Sequence, residues 1–209
     1  GRIHGASVHT IQSLSAALDR GEDLPRAKRV VLDEGRCAAA PKWCRVPEWY
    51  TEHGAELVIL DATPATSTGH GLGRWADYIH QVSSMEELVS QGHIVPYRVV
   101  PSDGINEKPV DVWLQKANGR RALAFCRDKR HASRSVAEFI AAGIPAAVIA
   151  DDTPEATRCE LLGYTDESGA WVQGSLARGD IWVLVCAHIL RQGIDIPEVE
   201  AILLDRACS

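Results

Sequence analysis

The stretch Val30-Val31-Leu32-Asp33-Glu34 decides how this chain is read: an apolar, β-branched run that ends abruptly in two adjacent carboxylates. Near-continuous apolar runs mark strands buried in parallel sheets, and open α/β sheets bind ligands at the carboxyl ends of their strands. Asp33 and Glu34 fall at such an end. Two acids there suit metal-assisted phosphoryl transfer, one holding Mg²⁺ while its neighbour polarises the attacking water. The same pair also suits the first turn of a following helix, where the dipole favours acids. Taken alone, the pair leaves both readings open.

A second apolar run, Glu56-Leu57-Val58-Ile59-Leu60, ends in Asp61-Ala62-Thr63-Pro64, where proline stops a strand. If the two strands are parallel neighbours, Thr63 shares a sheet edge with Asp33 and Glu34 and can hydrogen-bond across to them; the other reading is a simple turn. Upstream, residues 6–14 predict a short strand running into a helix, with Ile11, Leu14 and Leu18 at helical spacing. Thr10 and Gln12 lie at that helix's amino end, where hydroxyl, amide and open N–H groups suit a phosphate, although Thr10 also reads as an ordinary N-cap. Trp43, Trp49 and Tyr50 are expected to pack rather than to stack on bases. Gly69 to Gly73 predicts a flexible loop, Met85 to Gln91 a short helix closed by Gly92, and Val95 to Val100 a further strand. Pro101 to Pro109 has the most linker-like composition in the chain, which places a domain boundary there and divides it into residues 1–100 and 101–209.

The second half alternates. Arg121 to Cys126, Pro145 to Ala150, Ile181 to Cys186 and Val199 to Leu204 predict strands; Lys129 to Ala142 and Pro154 to Leu162 predict helices. Such alternation means βαβ units and a parallel sheet. Arg127, Lys129, Arg130 and Arg134 crowd the amino end of the first helix. Cations there oppose the helix dipole and cost stability unless an anion such as nucleic-acid phosphate or ATP compensates; a merely solvated basic face is the competing reading. The loop from His188 to Pro197, which carries Gly193 and Asp195, follows an apolar strand and reads as nucleotide-facing.

The bulk numbers bound these readings. The 209 residues are 45% apolar and carry a formal charge of −6, which argues against a polybasic binder while leaving room for a local basic groove. Six cysteines occur without a CxxC pair, so reduced thiols and a cytoplasmic protein are expected. No apolar stretch approaches the roughly 20 residues of a membrane span, and no signal peptide is visible. The chain starts at Gly1 rather than Met and is expected to be a piece of a longer protein.

In this order, the segments resemble the superfamily-two helicases and translocases, in particular the DEAD/DEAH-like bacterial enzymes related to the eukaryotic repair helicase subunit. Residues 8–14 resemble the family's nucleic-acid motif ahead of the acid pair, 31–34 its Walker B motif, and Asp61-Ala62-Thr63-Pro64 its coupling motif. Arg121 to Cys126 with the following helix resembles motif four, and Gln192 to Pro197 motif five. The resemblance implies an α/β fold of two incomplete RecA-like parallel-sheet domains in tandem, ATP and Mg²⁺ as cofactors, and a nucleic-acid partner, DNA rather than RNA. It implies Asp33 as the Mg²⁺ ligand, Glu34 as the group that activates water, Gly193 and Asp195 at the nucleotide, Asp61, Ala62 and Thr63 in coupling, and Thr10, Gln12, Arg127 and Arg130 on the strand.

Departures stand beside it. No Gly-Lys dipeptide occurs, so the phosphate-cradling loop is missing and is expected before Gly1; the arginine-finger motif is expected after Ser209. Gly35-Arg36 stands where relatives have Ala-His or Ala-Asp, and Asp61 where a hydroxyl is usual. Two functions are therefore carried forward: an ATP-dependent helicase or translocase that is inactive as this chain alone, or a remnant whose motor has decayed into a nucleic-acid-binding or regulatory module. A further reading is an unrelated α/β enzyme using the acid pair for metal chemistry.

Overall fold

The computed structural model describes residues 2–3 (backbone only), 5–63, 72–101, 107–190 and 196–205. The chain divides into two compact units, Gly1–Pro96 and Tyr97–Ser209.

The first unit opens with β1 (Arg2–Ile3) and β2 (Ala6–Ser7), a minimal antiparallel pair, followed by α1 (Ile11–Asp19). Next come β3 (Arg29–Asp33), a 3₁₀ turn (Gly35–Ala39), α2 (Arg45–Glu52), β4 (Glu56–Leu60), a second 3₁₀ turn (Leu72–Arg74) and α3 (Met85–Ser90). β3 and β4 pair in parallel, with Arg29 opposite Glu56 and Asp33 opposite Leu60. Val30 and Leu57 pack with Leu24, Val46 and Tyr50 beneath α1 and α2, and Ser15 donates from α1 to the Lys42 carbonyl at 3.1 Å. The continuous apolar run predicts burial on both faces, but Val31 is 56% exposed and Leu60 50%. Only one face of this pair is covered among the described residues. Trp49 stacks on His53 at 3.9 Å, so the aromatics do pack. A capping box between Ser84 and Glu87 starts α3, satisfying two amide groups that a helix end leaves open. The strand expected over Val95 to Val100 does not form: Pro96 lacks an amide proton, these residues are exposed, and no partner strand lies alongside among the described residues.

The second unit is a parallel sheet with helices on both faces. Its elements are α4 (Pro109–Lys116), β5 (Ala122–Cys126), α5 (Lys129–Ala141), β6 (Ala146–Ala150), α6 (Glu155–Leu162), β7 (Gly163–Thr165), β8 (Trp171–Gln173), α7 (Ser175–Arg178), β9 (Val183–Ala187) and β10 (Ala201–Asp205). The strand order is β10-β5-β9-β6, all parallel. One core, with Val110, Trp113, Phe139 and Val185, lies on one sheet face; the other, with Ile149, Leu161, Leu176 and Leu184, lies on the opposite face. β9 is buried at all five positions, which is why it reads as an unbroken apolar run. α4 departs from the sequence expectation, because its Pro109 looks like a linker residue; at the first helical position a proline costs nothing, and Val110 and Trp113 bury one face. The β7–β8 hairpin is a second departure. It turns directly out of α6 at Gly163, where φ is +96° and a Cβ would meet the Val172 carbonyl at 2.5 Å.

Candidate functional site

In the first unit the parallel register brings the ends of β3 and β4 together. Asp33 is the last residue of β3, and its Oδ1 accepts the Glu34 N–H at 3.1 Å. Glu34 adopts a left-handed backbone, φ 51° and ψ 46°, which turns the chain sharply into the 3₁₀ turn and leaves both acids exposed. Positive φ in a residue other than Gly is uncommon and tends to mark sites under functional constraint. Gly35 is buried, and a Cβ there would lie 2.1 Å from Ile59 Cγ2. The departure from alanine is thus tied to the isoleucine of the neighbouring strand.

Arg36 makes the connection to the second strand end. Its backbone N–H donates to Asp61 Oδ2 at 2.7 Å, the Thr63 N–H donates to Asp61 Oδ1 at 2.8 Å, and the Arg36 guanidinium donates to the Thr63 hydroxyl. Thr63 therefore reaches Arg36, not the acid pair itself as the sequence suggested. The two unusual residues, Arg36 and Asp61, bond to each other. Asp33 Oδ2 has no partner among the described residues, so the Asp33 carboxylate can offer an oxygen to Mg²⁺, a cation that takes hard oxygen ligands.

Thr10 caps α1: its hydroxyl oxygen accepts the Ser13 N–H at 3.2 Å, and Gln12 is exposed in the first turn. The ordinary capping role read from the sequence is thus occupied, and the hydroxyl proton stays available for an acceptor.

In the second unit the residues following β5, β6 and β9 line a cavity of about 910 Å³: Arg127, Lys129, Arg130, Arg134, Asp151 and His188 among them. Asp128 caps α5, its Oδ1 accepting the His131 N–H at 2.8 Å; that bond and the Arg127 guanidinium hold its carboxyl below the usual range. Lys129 lies 2.6 Å from Asp151 and 2.8 Å from Asp152, which raise its pKa. Two of the four cations are thus answered from within the protein. Arg130 and Arg134 have no ion-pair partner among the described residues. His188 opens the loop that the sequence reads as nucleotide-facing, whereas nothing in the sequence singled out Asp151; the available signal was its position just after β6. Gly193 and Asp195 lie outside the described residues.

Within the sheet, burial pushes the Cys126 thiol up to about 11 and the Cys186 thiol up to about 12. The five described cysteines are all free thiols. No described helix is long and apolar enough to cross a membrane.

The second unit, a parallel α/β sheet with helices on both faces, has counterparts among known proteins. Residues 106–208 match the helicase conserved C-terminal domain family. The chain is superfamily-two helicase-like, and its C-terminal half carries that domain. It is 22% identical to a 51.5 kDa protein of a Lactococcus phage, over 98% of this chain and 48% of that protein. It is 26% identical to UvrABC system protein B of Micrococcus luteus, over 85% of this chain and 23% of that protein. Among solved structures, an S. cerevisiae Dbp5 variant bound to RNA and ADP BeF3 superposes with a TM-score of 0.50 at 18% identity, over 92% of this chain and 48% of that one, a likeness of fold. The chain therefore spans about half the length of the phage relative and about a quarter of the UvrABC protein.

Proposed function

We propose that this chain is part of an ATP-dependent DNA helicase or translocase in which hydrolysis at Asp33 and Glu34 is coupled to movement of a strand. One observation carries this reading: the bonds from Arg36 to Asp61 and Thr63, which tie the acid-pair turn to the segment resembling the coupling motif. In this reading residues 1–100 and 101–209 are two partial RecA-like domains. ATP with Mg²⁺ supplies the phosphoryl group that is transferred to water. Asp33 would hold the cation through a carboxylate oxygen, and Glu34 would orient the attacking water and take its proton. Arg36 passes any shift of the acid-pair turn to Asp61 and Thr63. Thr10, Gln12, Arg127 and Arg130 contact phosphates of the strand, with Arg134 beside them, and Gly193 and Asp195 face the nucleotide. The RNA and ADP BeF3 in the Dbp5 structure are partners that a fold of this kind can hold.

The decayed-motor alternative rests on Gly35, Arg36 and Asp61. In this chain the three fit one another, with Gly35 beneath Ile59 and Asp61 accepting the Arg36 N–H.

Strand binding is tested by titrating the 209-residue chain with a labelled single-stranded DNA oligonucleotide at several salt concentrations. Affinity should fall with salt. Replacing Arg130 and Arg134 by alanine should weaken binding and flatten the salt slope by about 0.7 for each phosphate that is no longer neutralised. Binding indifferent to both salt and these substitutions removes the basic cavity from the strand path.

A further inference from the structure

We propose that Cys126, His131 and Asp205 form a zinc-binding site at one end of the second unit's sheet, separate from the Mg²⁺ site assigned to Asp33. Three elements deliver the ligands. Cys126 is the last residue of β5, and the parallel register with β10 sets Asp205 directly opposite it. His131 stands in the first turn of α5, fixed by the bond from its N–H to the Asp128 cap. The His131 Nε2 lies 2.9 Å from Asp205 Oδ2, and the Cys126 Sγ lies 3.9 Å from the same oxygen. All three ligand atoms fall within 4.8 Å of one another.

These separations are close to what a zinc ion imposes. With Zn–N and Zn–O near 2.0–2.1 Å and Zn–S near 2.3 Å, the edges of a tetrahedron are about 3.3–3.6 Å. Seating the ion requires the nitrogen and oxygen to part by a few tenths of an ångström, the sulfur to close on the oxygen by as much, and the sulfur and nitrogen, which lie within 4.8 Å, to close by up to about 1.2 Å. The donor set selects the metal. Magnesium and calcium take oxygen ligands, whereas thiolate, imidazole and carboxylate together suit zinc. The charges balance within the loaded site: the Cys126 thiol releases its proton when the ion binds, and the resulting thiolate and the Asp205 carboxylate together neutralise the dication.

Cys126 is almost wholly buried, while the His131 and Asp205 side chains are 25% and 24% exposed, so one side of the triangle opens to solvent. Three protein ligands with an open fourth position are the pattern of zinc sites that keep a water or take a substrate group. The His131 Nδ1 is buried without a partner among the described residues. Ligating histidines generally donate from their second nitrogen, and loss of that support costs about 10–100-fold in affinity. The site should therefore bind zinc more weakly than a closed four-ligand site.

The test uses the 209-residue chain with Zn²⁺ alone, competed against a chromophoric chelator, and with Co²⁺ alone, read by absorption. One equivalent of cobalt should bind with a thiolate-to-metal charge-transfer band and the visible bands of a tetrahedral ion. Cys126→Ser should abolish the charge-transfer band, and Asp205→Asn or His131→Gln should weaken zinc binding by about tenfold or more. Cys37→Ser, Cys44→Ser and Cys159→Ser should leave both unchanged. His131→Gln and Asp205→Asn leave the buried thiol in place, so the test survives even if Cys126→Ser does not fold. Absence of the band, its persistence in Cys126→Ser, or unchanged zinc affinity in His131→Gln and Asp205→Asn overturns the site, leaving a plain His–Asp pair beside a thiol.

Discussion

Gly35 shows how a single residue carries the logic of the first unit. The acid pair must be followed by a tight turn, and the turn must pass beneath Ile59 of the adjacent strand with no room for a methyl group. Gly35→Ala should destabilise this unit by about 1–3 kcal/mol, the usual cost of overpacking a tight site. The same change made in an Ile59→Ala background should cost clearly less, because the clashing Cγ2 is gone. Denaturant melts of the four proteins in this cycle give the coupling; additive effects would mean that the close approach has no energetic weight. The same economy holds at Asp61, whose two oxygens serve Arg36 and Thr63 at once, where a hydroxyl could satisfy fewer donors.

Among the elements, α5 is organised by its first turn. It begins with Lys129 and Arg130, whose charges the dipole disfavours, and compensates with the Asp128 cap. Because the folded-state pKa of Asp128 lies below its ordinary value of 3.8, its contribution is complete above that pH. It is lost as pH falls through the folded-state value. Asp128→Asn keeps a capping oxygen but cannot titrate. The variant should be less stable than the parent at neutral pH, with the difference shrinking as pH drops below about 3.8. Denaturation measured across that range checks it, and a gap that stays constant with pH would assign the effect to shape rather than charge. The strands behave differently. β9 is covered on both faces, whereas β3 alternates between covered and exposed, so similar apolar runs end in different environments.

At the scale of the whole molecule, each unit holds its own core, and the chemistry proposed for the chain needs parts that it does not carry. No Gly-Lys phosphate loop occurs in the 209 residues. Electrostatic groups of that kind contribute on the order of 10²–10³ each in rate. The chain alone should therefore hydrolyse ATP negligibly, with or without DNA. In a longer protein that supplies such a loop, Glu34→Gln should keep nucleotide binding and reduce turnover by roughly 10²–10⁴-fold, the usual share of general-base assistance. Steady-state ATPase assays with nucleotide-binding titrations separate the two. Unchanged turnover in Glu34→Gln would return the acid pair to a helix-start role.

From residue order alone, the α/β class, the parallel alternation of the second half and most strand and helix limits could be read, because buried strands and amphipathic helices impose their periods on the sequence. Glu34 and Asp33 were legible for the same reason: a strand that ends in acids is a local pattern. Other features depended on tertiary structure. Pairing of Arg36 with Asp61 spans 25 positions and depends on the register of β3 with β4, which no local period encodes. Cys126 and Asp205 are 79 positions apart and meet only because β10 lies beside β5 in the sheet order. Strand order is set by how helices cover the two sheet faces, so contacts of this kind exist only once the chain has packed.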